Sequence, residues 1–248
     1  MNNSQRIILS VYLPVTMMIL ILDNVYPGQD FVRIIKYTVI ITLFISSLSV
    51  KKKYKEQKLM TLSLFFVAIG DFFLVFSGVI MDLGNSTTIF GMAGFICAYI
   101  CLIIAYHKNF KIEAKEILAG IPILGVYLYI FHSLNKYLEL PMIIATIVFG
   151  LVICYMTWCA VCCVFRKFYA PKAAFIIAIS GIFMFICDMG VAYSLFDSAY
   201  SIEFTSWIKN IVWGVYVPGW ALLTLVVCDN NLISKSSSLA IKDKKERE

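Results

Sequence analysis

The sequence predicts an all-α integral membrane protein, built as a bundle of eight transmembrane helices. Two observations carry this prediction: 61% of the 248 residues are hydrophobic while only 15% are charged, and the mean hydropathy is +0.86. A soluble domain holds about 25% charged residues. The composition therefore excludes an ordinary soluble protein, and we assign the net charge of +6 to membrane orientation, not to nucleic-acid binding.

The eight helices are predicted from apolar runs of about 20 residues, the length that an α-helix needs to cross a bilayer. The predicted spans are 7–22, 34–50, 60–80, 88–106, 114–131, 141–164, 173–195 and 207–228. They form one transmembrane domain over residues 1–229. The remaining residues, 230–248, are polar and mixed in charge, which predicts a disordered cytoplasmic tail.

Lysine and arginine are distributed unevenly among the loops. With the N-terminus in the cytoplasm, 17 of these residues fall on the inner side of the membrane, and only Arg33, Lys136 and Lys209 fall on the outer side. Cytoplasmic loops carry an excess of positive charge, and a miscounted helix would mix the two groups. The sequence therefore predicts an even number of crossings, with both termini cytoplasmic.

Two of the apolar runs each contain a carboxyl group, Asp71 in the third run and Asp188 in the seventh. An ionisable residue inside a bilayer is costly and marks a functional site by default. The two aspartates are 117 residues apart, and this shift carries the first four predicted helices approximately onto the last four. A 4+4 parallel duplication is therefore possible, with both aspartates in the outer halves of their helices.

Two carboxyl groups at one depth can divide the work of acid–base catalysis, because one stays neutral while the other ionises. A structural alternative is that each aspartate hydrogen-bonds between helices and holds the bundle together. Lys36, near the outer end of the second helix, is a candidate counter-charge, although a lysine there can also extend to the interface.

At these residues the sequence resembles the YhhN-type lysoplasmalogenases, also called alkenylglycerophospholipid hydrolases. That family has about eight membrane helices, with a lysine in the second, a Gly-Asp in the third, a Gly and Phe leading into the fourth, and a late Ser-Asp segment. The corresponding residues here are Lys36, Gly70-Asp71, Gly91 or Gly94 with Phe95, and Asp188.

The chain departs from the family pattern beside these residues. Tyr37 replaces a proline, Tyr99 a histidine and Cys187 a serine, and a late glutamine is replaced near Trp220. Since the carboxyl groups are retained while their neighbours differ, the resemblance implies the same reaction centre.

The resemblance implies hydrolysis of the vinyl-ether bond of an alkenyl lysophospholipid to a fatty aldehyde and glycerophosphoethanolamine or glycerophosphocholine. Asp71 and Asp188 are then the catalytic residues: one protonates the enol ether, and the other stabilises the oxocarbenium ion and guides water, as two carboxyl groups do in glycoside hydrolysis. The chemistry needs no metal or organic cofactor. The expected partners are the lysophospholipid and membrane lipids.

Further residues are candidates for binding substrate. Tyr99 can replace the family histidine as a hydrogen-bond donor, although packing in the core is an equally good interpretation, and Arg33 or Lys209 can meet phosphate at the outer surface. The tryptophans of the last run are interpreted as interface anchors and packing residues. The predicted substrate-binding residues are Lys36, Tyr99, Asn210 and Tyr216.

Two other functions use aspartates inside a membrane. A proton- or cation-coupled small-molecule transporter with parallel repeats would hold them near the midplane, but its helices are typically broken, and neither aspartate run contains a proline. An intramembrane aspartyl protease would carry a Pro-Ala-Leu segment, which the sequence lacks. The transporter remains the alternative function. A bacterial inner membrane and the endoplasmic reticulum are both compatible with the sequence.

Overall fold

Eight helices long and apolar enough to cross a membrane make up most of the part of the chain that the computed structural model describes. The described residues are 3–80, 86–197, 199, 206–234 and 237. The predicted helical bundle is confirmed, and each predicted span overlaps one helix. The helices are α1 (Asn3–Val25), α2 (Asp30–Leu48), α3 (Lys55–Asp71), α4 (Ser86–Tyr106), α5 (Ala114–Leu134), α6 (Leu140–Arg166), α7 (Pro171–Phe196) and α8 (Ser206–Val227).

Helix α3 changes its winding directly after Asp71. The chain continues as a π-helical turn over Phe72–Phe76 and a last α-turn over Ser77–Ile80. Aromatic packing surrounds this turn, because the Tyr37 ring of α2 stacks on Phe76 with 4.7 Å between ring centres. Single π-turns inside α-helices are frequent at functional sites.

The start of α1 and the end of α8 lie at the same end of the bundle. The Gln5 side-chain amide at the start of α1 donates a hydrogen bond of 3.1 Å to the carbonyl of Leu225 near the end of α8. The Gln57 side chain at the start of α3 donates one of 2.8 Å to the carbonyl of Val227. This is the geometry of an even number of crossings between α1 and α8. That this end of the bundle faces the cytoplasm stays a prediction from the loop charges.

The chain after α8 folds back onto the α6–α7 loop. Ala170 N–H donates to the carbonyl of Leu232 at 2.9 Å, and Ser234 N–H donates to the carbonyl of Phe168, also at 2.9 Å. Leu232 and Ile233 are buried there. Burial of these two apolar residues therefore extends the packed chain to Ser234, past the predicted start of the tail at residue 230. Apart from residue 237, the rest of the tail lies outside the described residues.

The helix contacts of the first half recur in the second half after a shift of four helices. Helix α3 packs on α2 and α4, as α7 packs on α6 and α8. Between the halves, α4 contacts α6 and α8 contacts α2. The contacts of α1 and α3 with α8 have no counterpart of similar extent under this shift, so the two halves repeat each other's packing in part.

Helices α3 and α4 approach each other closely beside Asp71. A Cβ atom on Gly94 would lie 2.8 Å from the backbone nitrogen of Gly70, and one on Gly70 would lie 2.8 Å from the Phe95 ring. Small residues at helix crossings let backbones meet in membranes. The Gly-Asp pair of α3 and the Gly-Phe pair of α4 are therefore two sides of one crossing.

We expect Gly94→Ala to destabilise the protein by about 1–3 kcal/mol, the usual cost of overpacking a tight contact, and to lower activity by displacing Asp71. Gly125→Ala on α5 is the matched control, because nothing lies within 4 Å of its added Cβ. Thermal unfolding of both variants in the same detergent checks this. Equal unfolding temperatures for the two variants would contradict the close crossing.

Candidate active site

A cavity of about 360 Å³ lies between the two halves of the bundle, and both aspartates are on its wall. Asp71 is 3% exposed and Asp188 is 8% exposed. Counted from the observed helix starts, the carboxyl groups are about 24 and 26 Å along α3 and α7. The difference in depth between the two groups is smaller than the predicted spans indicate. The remaining wall is largely apolar and includes Leu74, Val75, Phe95, Phe149, Val191 and Val212.

Each aspartate accepts a short hydrogen bond from a tyrosine of the other half. Tyr216 Oη donates to Asp71 Oδ2 at 2.5 Å, and Tyr99 Oη donates to Asp188 Oδ2 at 2.5 Å. A hydroxyl that donates to one oxygen of a carboxyl group restricts the rotation of that group. The tyrosines therefore fix the orientation of both carboxyl groups.

The two tyrosines are related by the same offset as the two aspartates, 117 residues. The aspartate of each half is thus bonded to the tyrosine of the opposite half. This offset between Tyr99 and Tyr216 is visible in the sequence. It is the signal that could have paired each tyrosine with its aspartate before the structure was known.

The two tyrosines differ in their access to the cavity. Tyr216 is on the cavity wall, whereas Tyr99 is not among the described residues that line it. Tyr99 is 1% exposed, and its ring stacks on Trp220, with 6.3 Å between ring centres. Tyr99 therefore contacts Asp188 without lining the cavity, and its predicted role in substrate binding stays a prediction.

Lys36 is on the cavity wall, but its charge is paired with Asp23 at the end of α1. The distance from Lys36 Nζ to Asp23 Oδ2 is 2.8 Å, and both side chains are buried. The ammonium group also lies 4.3 Å from the centre of the Trp213 ring. The sequence analysis offered Lys36 as a counter-charge for Asp71 and Asp188. This expectation is corrected, because the ion-pair partner of Lys36 is Asp23, which it meets where α1 packs on α2.

Asn210 is not brought to the cavity with the other predicted site residues. Its Oδ1 accepts a hydrogen bond of 2.7 Å from Asn24 Nδ2, which ties α8 to α1. The neighbouring Lys209 donates to the carbonyl of Asp23 at 2.6 Å. These contacts hold the start of α8 against the end of α1 beside Asp23, and Asn210 is not among the described residues that line the cavity.

Two wall residues near the predicted outer end were not assigned to a binding site by the sequence. Trp213 was interpreted as an anchor or packing residue, yet it lines the cavity beneath Lys36. Thr146 of α6 also lines the cavity, and nothing in its apolar run distinguishes it from a structural threonine. The cationic side chains on the wall are Arg33 and Lys36.

One of three comparisons with known proteins gives a match. A search of curated proteins and a search of solved structures found no match. The model of the YhhN family matches residues 31–227, most of the chain. That range contains Lys36, both aspartates and both tyrosines, and the family includes lysoplasmalogenases. The eight apolar helices and this match together establish that the chain is an integral, multi-pass membrane protein and a member of the YhhN family.

Proposed function

We propose that this protein is a lysoplasmalogenase, which hydrolyses the vinyl-ether bond of an alkenyl lysophospholipid. The observation that carries the proposal is the presence of Asp71 and Asp188 on the wall of one largely apolar cavity. A tyrosine holds Oδ2 of each carboxyl group, which leaves Oδ1 of each for a ligand. Membership of the YhhN family supports the same reaction.

The reaction needs one carboxylic acid and one carboxylate. The acid transfers its proton to the β-carbon of the enol ether, and the double bond becomes an oxocarbenium ion. The carboxylate stabilises this cation and takes a proton from the water that attacks the α-carbon. The hemiacetal then breaks into a fatty aldehyde and the glycerophospho-headgroup, by the carboxyl-pair chemistry of glycoside hydrolysis.

The cationic side chains on the wall suit the phosphate of the substrate. Tyr37, next to Lys36, contacts the rings of Phe72 and Phe76, which are one and five residues beyond Asp71. Because α2 runs opposite to α3, Lys36 is one residue farther out than Tyr37, roughly 3–9 Å beyond Asp71 along the helix axis. The phosphorus and the ether oxygen of a lysoplasmalogen are separated by five bonds of about 1.5 Å each, so a phosphate at Lys36 places the vinyl ether beside the aspartates.

The apolar wall suits the alkenyl chain. A volume of about 360 Å³ is at the lower end of the range of ligand pockets, about 300–1,000 Å³. The cavity accordingly takes the glycerol and the reacting bond, while the rest of a long chain extends toward lipid. In this binding mode the headgroup is at the predicted outer end, with Arg33 and Lys36.

The experiment that tests the proposal is aldehyde release by the purified protein in detergent. We expect aldehyde from an alkenyl lysophospholipid and none from the acyl lysophospholipid of the same chain length and headgroup, because an ester has no enol-ether carbon to protonate. Protein that is folded by size-exclusion chromatography yet releases no aldehyde from any vinyl ether would overturn the proposal. That result would favour the coupled transporter instead.

A further inference from the structure

Trp213 of α8 is a wall residue of the cavity to which the proposed reaction gives no task. It lines the cavity, although the residue is only 7% exposed. Its indole N–H makes no hydrogen bond within the part of the chain that the structure describes, and it is not sealed from contact with a ligand. Since the N–H of a buried tryptophan usually finds a partner, this donor is available to a molecule in the cavity.

Trp220, two turns deeper on the same helix, has its indole in a different situation. The residue is 0% exposed, and its Nε1 is buried without a partner among the described residues. It is also not one of the described residues that line the cavity. Of these two indole N–H groups, that of Trp213 is therefore the one that a ligand can reach.

The Trp213 ring is a neighbour of both functional parts of the cavity wall. Lys36 Nζ, which we assign to the phosphate, is 4.3 Å from its ring centre. The ring also packs edge-on against Tyr216, with 5.4 Å between ring centres and 87° between ring planes, and Tyr216 holds Asp71 by its hydrogen bond. Trp213 thus connects the cationic part of the wall with the part that holds the acid.

A lysoplasmalogen carries a free hydroxyl group between the two parts of the molecule that these wall regions would bind. The ether oxygen and the phosphorus are joined through the three glycerol carbons, and the hydroxyl is on the middle carbon. That carbon is two bonds from the ether oxygen and three bonds from the phosphorus. A substrate with its phosphate at Lys36 and its vinyl ether at Asp71 therefore carries this hydroxyl at the level of Trp213.

The other neutral hydroxyl groups of the described wall are not free to bind the substrate hydroxyl in this way. The Ser194 hydroxyl donates to the carbonyl of Val191 at 2.9 Å. The Thr146 oxygen is buried, and the proton of the Tyr216 hydroxyl is used for Asp71. Apart from the catalytic carboxyl groups, the Trp213 indole is thus the neutral N–H or O–H donor that remains on this part of the wall.

We propose that the Trp213 indole N–H donates a hydrogen bond to the oxygen of the free glycerol hydroxyl, which makes Trp213 a specificity residue for the lyso form of the substrate. This inference rests on the proposed lysoplasmalogenase activity and adds a contact that selects its substrate. Because indole is a donor only, it distinguishes a substrate with an oxygen at this carbon from one with a hydrogen there.

The test compares two substrates in the wild type and in one variant. The substrates are the alkenyl lysophospholipid and its 2-deoxy analogue, in which a hydrogen replaces the glycerol hydroxyl. Trp213→Phe removes the N–H group and keeps an aromatic ring beside Lys36 and Tyr216. We expect the wild type to have a kcat/KM about tenfold lower for the deoxy analogue, the effect of leaving a buried donor unpaired, and Trp213→Phe to treat the two substrates alike.

The ratio of the two kcat/KM values separates recognition from a structural defect. Altered packing at Lys36 or Tyr216 would lower kcat/KM for both substrates and leave their ratio at the wild-type value. The matched control is Trp207→Phe, because Trp207 is on the same helix but is 57% exposed and is not among the described residues that line the cavity. This variant should keep the tenfold preference.

Binding of saturated ethers tests the same contact without turnover. A 1-O-alkyl lysophospholipid has no double bond to protonate, so its Kd and that of its 2-deoxy analogue are measured with no reaction. We expect the wild type to bind the deoxy ether about tenfold more weakly, and Trp213→Phe to bind both ethers with equal Kd.

Two results would overturn the role of Trp213 while the hydrolase proposal stands. One is equal kcat/KM of the wild type for the hydroxyl and deoxy vinyl ethers. The other is a wild-type preference that persists in Trp213→Phe. If the wild type releases no aldehyde but binds the saturated ethers with the expected preference, the hydrolase proposal fails and the hydroxyl contact stands. No aldehyde together with equal binding of the two ethers overturns both.

Discussion

Asp71→Asn and Asp188→Asn are each expected to lower aldehyde release by about 10²–10⁴-fold or more, the contribution of a positioned acid or base. An amide neither donates an acidic proton to carbon nor accepts one from water. Both variants should still fold, because the side-chain oxygen of asparagine accepts the same tyrosine hydrogen bond and an amide has the size of a carboxyl group. Aldehyde release and thermal unfolding, measured on the same detergent preparation, check the two halves of this expectation.

Asp197→Asn is the matched control for these variants. Asp197 is also buried, at 8% exposure, but its carboxyl group accepts a hydrogen bond from the backbone of Ala199 and does not line the cavity described above. It should keep most of the activity. Near-normal turnover in either Asp71→Asn or Asp188→Asn would contradict the two-carboxyl mechanism.

The two asparagine variants should fail differently if Asp71 is the acid and Asp188 is the base. Asp188→Asn keeps the acid, so it can protonate the β-carbon and lose the proton again, and in D₂O its substrate gains deuterium without releasing aldehyde. Asp71→Asn lacks the acid and should show neither exchange nor release. The opposite pattern would exchange the roles of the two aspartates.

Lys36→Met is expected to have the second-largest effect, on both stability and substrate binding. It leaves the buried carboxylate of Asp23 without its ion-pair partner at 2.8 Å, and breaking a buried pair in this way typically costs about 3–5 kcal/mol. It also removes a cationic group from the cavity wall, so KM for the phosphate-bearing substrate should rise. Thermal unfolding and a substrate titration measure the two effects separately.

The double variant Asp23→Asn/Lys36→Met separates stability from recognition. Neutralising Asp23 removes the uncompensated charge, so much of the lost stability should return while KM for the lysophospholipid stays high. A neutral alkenylglycerol, which has no phosphate, should be hydrolysed equally well by this variant and the wild type. The control is Lys136→Met, because Lys136 is an exposed lysine on the predicted outer side of the membrane, the same side as Lys36. If the double variant recovered KM as well, Lys36 would have no part in binding phosphate.

The sequence by itself determined the number of helices and the two aspartates. A bilayer requires every backbone group to be paired within its own segment, so each crossing appears as an apolar run of about 20 residues. The same medium makes a carboxyl group conspicuous, which singled out Asp71 and Asp188. The 117-residue offset between Tyr99 and Tyr216 was also present in the sequence.

Only the tertiary structure decided which side chains meet. In a membrane the lipid-facing and core-facing surfaces of a helix are both apolar, so the pattern of hydrophobic residues does not say which face packs on which helix. The pairing of Lys36 with Asp23 and the place of Trp213 on the cavity wall beside Lys36 both depend on contacts between separate helices. The sequence thus locates the reacting groups, and helix packing determines their partners and their roles.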